Sequence, residues 1–193
     1  MSTAEKDVMR VLVTGGTGMV GHAAVLALRA AGHVVRVVAR REPDGCLSRI
    51  DDVEYVRGDV TDAAAMRRAC EDCEAVVHAA GALRGDGRQT LDALNITGTR
   101  HVLDAAMRAG ARRFVFLSSL GAERGESDYH RTKRVAELLV RQGAHEWVIL
   151  RPGNVYGPGE SHIARFVRAM RTWPVVPIPV AASLAFQPIW LDD

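Results

Sequence analysis

Residues 8–21 read VMRVLVTGGTGMVG, and this stretch decides the fold. The apolar, β-branched run from Val8 to Thr14 predicts a buried strand, and a helical pattern starts at Met19. Between them, Gly15 permits a tight turn, Gly18 lets the backbone approach a phosphate group, and Gly21 permits close helix packing. The start of the helix also favours negative charge. The stretch therefore predicts a strand, a phosphate-binding turn and a helix in direct succession.

The same alternation of strand and helix continues along the chain. Gly32 ends the first helix, and the continuous apolar run from Val34 to Ala39 predicts a strand buried on both faces. Further strands are predicted at Val53–Arg57, Ala75–Ala79, Phe114–Ser118 and Trp147–Leu150, and helices at Met19–Ala31, Asp62–Cys70, Thr90–Arg108 and Ser127–Gln142. The predicted fold is an α/β, Rossmann-like, doubly wound parallel sheet with helices on both faces and a ligand crevice at the carboxyl ends of its strands.

The composition is that of an ordinary globular protein with one main domain. Of the 193 residues, 48% are hydrophobic and 25% are charged, which excludes a largely disordered or fibrous chain. The formal net charge of +2 is too small for the basic surface that nucleic-acid binding requires. Residues Met1–Asp7 are polar and contain no apolar signal-peptide core, so a cytoplasmic location is expected.

The spacing of cysteine and histidine predicts neither a disulfide framework nor a metal site. Three cysteines, Cys46, Cys70 and Cys73, are an odd number, and the Cys70-x-x-Cys73 pair ends a helix without a second pair at ligand spacing. That pair is predicted to be structural. Nineteen uncharged residues run from Trp173 to Leu191, but four prolines would break a spanning helix there, so no membrane span is expected.

A second motif, Tyr129-x-x-x-Lys133, accompanies the glycine motif. With both, the chain resembles the short-chain dehydrogenase/reductase superfamily, and its Gly-x-x-Gly-x-x-Gly spacing is similar to the extended and atypical branches, the NAD-dependent epimerase/dehydratase-like proteins. Further matching segments are Gly58-Asp59-Val60, His78-Ala79-Ala80-Gly81, Asn95, Ser118-Ser119 and Arg151-Pro152-Gly153-Asn154-Val155-Tyr156-Gly157-Pro158-Gly159. The resemblance covers nearly the whole chain.

The resemblance implies a nicotinamide dinucleotide as cofactor and a small molecule as substrate. It implies pyrophosphate contacts from Gly15, Thr17, Gly18, Met19 and Val20, adenine contacts from Asp59 and Val60, ribose-side contacts from Ala79, Ala80, Gly81 and Lys133, and nicotinamide contacts from Pro152, Asn154 and Val155. Turn chemistry is the alternative interpretation of Asp59 and Gly81. A helix-packing hydrogen bond is the alternative for Asn95.

The end of the second predicted strand favours NADP(H) over NAD(H). NAD-binding relatives usually place an acidic residue there, whereas this chain has Ala39 followed by Arg40 and Arg41. A guanidinium can donate two hydrogen bonds to a 2′-phosphate. The alternative is a pair of solvated arginines beside a ribose held by Glu42 or by backbone, and NAD(H) then remains a candidate cofactor.

Tyr129 and Lys133 are the predicted centre of catalysis. They are four residues apart on a helix and so share one face. A phenol is a poor base at neutral pH, but a nearby cation favours its ionised form. Ser119 is expected to hydrogen-bond the substrate oxygen and Tyr129, and Asn95 completes the predicted catalytic set. Alone, a Tyr and a Lys at this spacing would usually be surface residues.

Residues 1–160 are predicted to form the dinucleotide-binding domain and residues 161–193 the start of a substrate-binding lobe. Extended members of the superfamily continue past a segment such as Asp192-Asp193, so that lobe is expected to be largely absent from this chain. Some relatives dimerise through two of the predicted helices, Thr90–Arg108 and Ser127–Gln142, which makes a homodimer an expectation here.

The predicted function is an NAD(P)(H)-dependent oxidoreductase or a nucleotide-sugar epimerase/dehydratase-like protein, in which proton transfer by Ser, Tyr and Lys accompanies hydride transfer. The alternative is a non-catalytic NADP(H)-binding sensor, or an accessory subunit like those of respiratory complex I. The presence of Ser119, Tyr129 and Lys133 favours the enzyme, because the alternative does not require them.

Overall fold

Six parallel strands form the central sheet of this computed structural model, which describes residues 8–41, 50–85, 87, 89–158, 168–173 and 187–193. The strands are β1 (Arg10–Thr14), β2 (Val34–Ala39), β3 (Glu54–Arg57), β4 (Ala75–His78), β5 (Arg113–Leu117) and β6 (Glu146–Leu150), in the order β3-β2-β1-β4-β5-β6. The order reverses between β1 and β4, and this is where a doubly wound sheet opens a ligand crevice. The predicted fold class is confirmed.

Helices cover both faces of the sheet, as predicted. They are α1 (Met19–Ala30), α2 (Ala63–Cys70), α3 (Gly98–Arg108) and α4 (Asp128–Gly143). Alternate residues of β1 point to opposite faces: Leu12 packs in a core with residues of α2, α3 and α4, and Val13 packs in a second core with Val25 of α1. The four middle strands are therefore buried on both sides, which explains their continuous apolar sequences.

The helix starts follow from local sequence. The Asp62 carboxylate accepts hydrogen bonds from the backbone of Ala64 and Ala65 and so caps α2. The Ser127 hydroxyl accepts from the His130 amide and caps α4. Asp62 and Ser127 are the first residues of the predicted helices Asp62–Cys70 and Ser127–Gln142. Short polar side chains are favoured there because they accept hydrogen bonds from the free amides of the first turn.

Two features of the fold go beyond the predicted sheet and helices, although short strands are expected from the sequence between Trp173 and Leu191. The helix predicted over Thr90–Arg108 begins as a π-helical segment, Asp92–Thr97, before it becomes α3. Beyond β6, two short strands, β7 (Asn154–Tyr156) and β8 (Pro188–Trp190), pair in parallel as a separate sheet. Most of the run from Trp173 to Leu191, and the predicted domain boundary at residue 160, lie outside the described residues.

Arg36 of β2 joins the sheet to the end of α2. It is 7% exposed. Its Nε lies 2.8 Å from Glu54 Oε2, and its Nη1 donates to the carbonyl oxygens of Ala69 at 2.9 Å and Glu71 at 2.7 Å. The last carbonyls of a helix have no partner within the helix. A buried guanidinium therefore satisfies the carboxyl end of α2.

Arg36→Met is expected to lower the free energy of unfolding by about 2–3 kcal/mol, because it leaves those carbonyls without a charged donor. Urea denaturation measures the loss. Arg10→Met is the matched control, since Arg10 Nη1 also contacts Glu54, at 3.8 Å, but its side chain is 39% exposed. This control is expected to change stability by less than about 0.5 kcal/mol. Equal losses in the two variants would contradict the role given to Arg36.

Candidate dinucleotide site

The carboxyl ends of the strands open into a crevice with a volume of about 290 Å³. Its lining includes nine of the residues predicted to contact a cofactor: Gly15, Thr17, Gly18, Arg40, Asp59, Val60, Ala79, Ala80 and Gly81. Met19 and Val20 are the first residues of α1, directly after the glycine turn. The structure thus brings together residues from four separate loops, as expected for the ends of neighbouring parallel strands.

The glycine turn approaches the loop after β4 too closely for side chains. Gly15 has φ +71°, and a Cβ there would lie 2.7 Å from the Ala80 nitrogen. A Cβ at Gly21 would overlap the Gly15 carbonyl oxygen. The bare backbone leaves the first amides of α1 facing the crevice, with no acidic residue in the first turn. A helix start of this kind fits a pyrophosphate, so the residues present fit a dinucleotide.

A buried histidine fixes the distance between these two loops. His78, at the end of β4, is fully buried, and its Nδ1 lies 2.6 Å from Thr14 Oγ1 while its Nε2 lies 2.9 Å from Thr99 Oγ1. Thr99 donates its hydroxyl proton to the Asn95 carbonyl at 2.6 Å, so it accepts from His78 Nε2–H. Nδ1 then accepts from Thr14, whose oxygen accepts from the Ala80 amide at 3.2 Å.

This chain of hydrogen bonds requires a neutral imidazole. Burial, with a smaller effect of the Lys133 charge, lowers the pKa of His78 to about 3. The ring also stacks on Phe116, with centroids 5.6 Å apart. The sequence places His78 in the motif after the fourth strand but indicates no role for it. A histidine at the end of an otherwise apolar strand is the sequence signal that could have indicated a structural role. Its partner Thr99, however, is twenty-one residues away and is brought close only by the fold.

The Asn95 side chain connects the crevice loop to α4. Its Oδ1 accepts from the Ala82 amide at 3.0 Å, and its Nδ2 donates to the Ala82 carbonyl at 3.1 Å and to Thr132 Oγ1 at 2.9 Å. Thr132 in turn donates to the Tyr129 carbonyl at 2.8 Å. The amide thus makes the packing hydrogen bonds that were the alternative interpretation of Asn95. Its predicted catalytic role stays a prediction.

Lys133 lies under the crevice. It is 4% exposed, and its ammonium donates to the Leu117 carbonyl at 2.7 Å and lies 4.8 Å from the centroid of the Phe116 ring. A Cβ at Gly81 would lie 2.9 Å from Lys133 Nζ, so the ammonium borders the crevice wall. Burial lowers the pKa of Lys133 to about 8, although the Glu137 charge opposes this.

Tyr129 lies one turn before Lys133 on α4, and the Ser119 side chain lies near its hydroxyl. Burial raises the pKa of Tyr129, and the nearby Ser119 side chain opposes the rise. The expectation that Lys133 lowers this pKa therefore does not hold for this arrangement, in which the ammonium bonds to the Leu117 carbonyl. At neutral pH the phenol is protonated and can act as a hydrogen-bond and proton donor.

The end of the crevice predicted to hold an adenine contains Asp59, Val60 and a group of arginines. Asp59 Oδ1 accepts from the amide and the hydroxyl of Thr61, both at 2.9 Å, which is the turn chemistry considered above. A second cavity, also of about 290 Å³, is lined by Ala39, Arg40, Arg41, Tyr55, Val56 and Arg57. Arg57 at the end of β3 was not predicted, because only strand pairing places it beside β2. Glu42 lies outside the described residues.

Pro152, Asn154 and Val155 follow β6 at the same edge of the sheet, next to the loop that carries Ser119. The Leu120 amide donates to the Pro152 carbonyl at 2.9 Å, which holds the two loops together. Asn154 and Val155 belong to β7. These three residues do not line the crevice itself, and their predicted nicotinamide contacts stay predictions.

Cys70 and Cys73 are free and buried. Burial raises the pKa of Cys70 to about 12, so its thiol is protonated and unreactive at neutral pH. Among the residues that the structure describes, no three His, Cys, Asp or Glu side chains are grouped as metal ligands. Within the same residues, no helix has the length and apolar character to span a membrane.

The sheet order, the glycine turn and the crevice define a dinucleotide-binding protein of the Rossmann class. The sequence model of the NAD-dependent epimerase/dehydratase family matches residues 11–184, and the chain belongs to that family. The resemblance to the extended short-chain dehydrogenase/reductases is thereby confirmed.

Two relatives of the chain carry the names of a ceramide reductase and a sterol demethylase protein. The chain is 35% identical over 169 residues to the ceramide reductase of Caulobacter vibrioides, covering 87% of this chain and 53% of the relative. It is 36% identical over 174 residues to sterol demethylase protein B of Methylococcus capsulatus, covering 78% and 52%. The chain thus spans about half the length of the curated relatives it matches.

A solved structure extends the comparison to a bound cofactor. A short-chain dehydrogenase/reductase superfamily protein from Agrobacterium tumefaciens, crystallised with bound NAD, superposes with a TM-score of 0.67 at 35% identity. The superposition covers 76% of this chain and 50% of that protein.

Gly15→Ala is expected to weaken binding of NADH and NADPH by more than about a hundredfold, because the new Cβ fills the gap to Ala80. Gly110→Ala is the matched control: it has φ +78°, yet a Cβ there meets nothing within 4 Å. Both variants carry the cost of a positive φ, of about 1 kcal/mol in stability, and only Gly15→Ala is expected to lose the cofactor. Fluorescence titration of both variants measures this, and unchanged affinity in Gly15→Ala would contradict the assignment.

Proposed function

We propose that this chain is the cofactor-binding part of an NAD(P)(H)-dependent oxidoreductase or epimerase/dehydratase in which Ser119, Tyr129 and Lys133 accompany hydride transfer with proton transfer. The observation that carries the proposal is that Tyr129, with the Ser119 side chain near its hydroxyl, lies one helical turn from an ammonium that borders the crevice. A bound nicotinamide would supply or accept the hydride. The protein residues would bind, orient and move the proton.

The protonated state of Tyr129 suits it to act as the proton donor in carbonyl reduction. In that direction the phenol donates its proton to the carbonyl oxygen as hydride reaches the carbonyl carbon, and an alcohol forms. Ser119, near the phenol, can donate a hydrogen bond to the same oxygen. The resulting phenolate is stabilised by a nearby cation, and Lys133, on the same face of α4, is the candidate.

We infer that the substrate carries its alcohol or ketone on an apolar body. Leu83 and Leu120 lie in the segments that follow β4 and β5, next in sequence to Ala82 of the crevice lining and to Ser119, and are 57% and 51% exposed. Exposed leucines beside a polar reacting centre suit a substrate that is apolar except at one oxygen. The names of the two relatives, which refer to ceramide and sterol, support the same class. A nucleotide sugar is the competing substrate class.

We propose NADP(H) as the preferred cofactor, with Arg40 as the main partner of a 2′-phosphate. Arg40 lines both the crevice and the second cavity, and Arg41 and Arg57 line the latter. Three guanidinium groups around one cavity favour a dianion over a ribose hydroxyl. The NAD bound to the Agrobacterium protein makes NAD(H) the competing cofactor.

The non-catalytic sensor or accessory-subunit function has one observation in its favour. The Lys133 ammonium is held by the Leu117 carbonyl, and the pKa of Tyr129 is raised, not lowered. A protein that only binds NADP(H) would tolerate such an arrangement. Loss of the Tyr129 hydroxyl distinguishes the two functions, because it would reduce turnover in an enzyme and would leave a protein that only binds NADP(H) unaffected.

The chain is expected to bind NADPH more tightly than NADH, and Arg40→Ala is expected to reduce that preference by about ten- to a hundredfold, the effect of losing a charge-assisted contact. Titration of both cofactors by fluorescence measures it. Arg108→Ala, an exposed arginine at the end of α3, is the control for the loss of one positive charge. Equal affinity for the two cofactors in the unmodified chain would remove the basis for NADP(H).

Tyr129→Phe is expected to reduce turnover by about 10²- to 10⁴-fold while NADP(H) affinity stays close to unchanged, because the phenol contacts the reacting oxygen and not the pyrophosphate. Lys133→Met is expected to reduce both turnover and affinity. Oxidation of NADPH is followed with ketosteroid and nucleotide-sugar substrates. A Tyr129→Phe protein that keeps more than about a tenth of the unmodified rate would favour the non-catalytic function instead.

A further inference from the structure

A buried carboxylate lies behind the Ser119, Tyr129 and Lys133 group. Glu137 is one turn beyond Lys133 on α4 and is 3% exposed. Ser118 Oγ donates to Glu137 Oε1 at 2.6 Å. Arg151 donates through Nε to Oε1 at 2.8 Å and through Nη2 to Oε2 at 2.6 Å. Both carboxylate oxygens are therefore occupied in a two-point ion pair with an additional hydroxyl donor.

Glu137 and its two partners belong to the three segments that carry Tyr129, Ser119 and Pro152. Ser118 precedes Ser119 after β5, and Arg151 precedes Pro152 after β6. Glu137 itself shares α4 with Tyr129 and Lys133. Backbone hydrogen bonds already join the first two segments, since the Ser118 amide donates to the Leu150 carbonyl at 2.7 Å. The Glu137 side chain adds α4 to that pair of loops.

The carboxylate is charged, and the charge matters to Lys133. Burial opposes ionisation, but hydrogen bonds from Arg151 and Ser118 lower the pKa of Glu137, with help from the charges of Arg151 and Arg141. The Glu137 charge in turn raises the pKa of Lys133 against the effect of burial. Removal of Glu137 would leave the charges of Arg151 and Lys133 without compensation. The arrangement of these side chains therefore depends on the buried carboxylate.

We propose that Glu137 is a positioning residue for the nicotinamide end of the site, which holds the segments that carry Ser119, Tyr129 and Pro152 in one arrangement. This inference rests on the proposed cofactor binding. Glu137 does not line the crevice, so it acts through Arg151 and Ser118. Its loss should therefore affect the nicotinamide end of a bound cofactor and spare the adenosine end, which contacts β2, β3 and the glycine turn.

The chain offers a matched control on the same arginine. Arg151 Nη1 also lies 3.6 Å from Glu123 Oε2, but the Glu123 side chain is 80% exposed, whereas that of Glu137 is 4% exposed. Glu123→Gln and Glu137→Gln each remove one negative charge that lies beside Arg151. An exposed ion pair contributes little to structure, so only the buried one should matter.

The test compares NADPH with 2′-phospho-ADP-ribose, which is the same molecule without the nicotinamide ring. In Glu137→Gln the affinity for NADPH is expected to fall about tenfold, and that for 2′-phospho-ADP-ribose to stay within about twofold. Glu123→Gln is expected to change neither. The affinities for NADH and ADP-ribose are measured in parallel. The comparison of each dinucleotide with its analogue without nicotinamide then holds whichever cofactor is preferred. Thermal melting of each variant confirms that it is folded.

Equal weakening of both probes in Glu137→Gln, or no weakening of either, would overturn the positioning role. So would an equal effect of Glu123→Gln. Failure of the unmodified chain to bind any of the four nucleotides would instead refute the proposed function. If Glu137→Gln does not fold, Arg151→Lys replaces it, because lysine keeps the charge and loses the two-point geometry. A selective loss of NADPH affinity in Arg151→Lys supports the proposal, and unchanged affinity for both probes overturns it.

Discussion

A buried chain of hydrogen bonds runs from the Ala80 amide through Thr14, His78 and Thr99 to the Asn95 carbonyl. The side chains of Thr14, His78 and Thr99 each accept one hydrogen bond from the preceding group and donate one to the next. Burial keeps the imidazole neutral. A buried polar group without a partner costs about 1–3 kcal/mol, so the members of the chain hold one another in place. The loops after β1 and β4 therefore meet at a fixed distance.

The rest of the site depends on that distance. The glycine turn lies against the Ala79-Ala80 backbone, and the close approach excludes a Cβ at Gly15. Asn95 extends the constraint through its side chain to Ala82 and Thr132, and so to the helix that carries Tyr129. The wall of the crevice, the turn at its floor and the helix behind it thus form one hydrogen-bonded unit. Such a unit can present backbone amides to a phosphate without reorganisation.

Much of this could be predicted from sequence, because it depends on local pattern. Apolar runs separated by helical spacing predicted six strands and four helices, and β2 has the predicted bounds, Val34–Ala39. The glycine spacing predicted the turn. The overlap that a Cβ at Gly21 would make with the Gly15 carbonyl is local, whereas the contact that excludes a Cβ at Gly15 comes from Ala80 and depends on the fold. Caps such as Asp62 and Ser127 also depend only on residues within one turn.

What could not be predicted depends on contacts between distant residues. Nothing near His78 in sequence indicates Thr99, and nothing near Glu137 indicates Arg151. Parallel pairing brings Arg57 beside the end of β2, a neighbour set by strand order and not by spacing. The spacing of Tyr129 and Lys133 predicted a shared helical face, but spacing cannot tell whether the ammonium bonds to a phenol or, as here, to the Leu117 carbonyl. Side-chain partners across the sheet follow from the fold as a whole.

A crystal structure of the chain with NADPH tests the central claim most directly, namely that a dinucleotide lies across the carboxyl ends of β1 and β4. The pyrophosphate is expected within hydrogen-bond distance of the amides that begin α1, over Gly15 and Gly18, with the nicotinamide toward Ser119 and Tyr129 and the 2′-phosphate beside Arg40. A cofactor bound elsewhere, or one whose pyrophosphate does not contact the glycine turn, would contradict it.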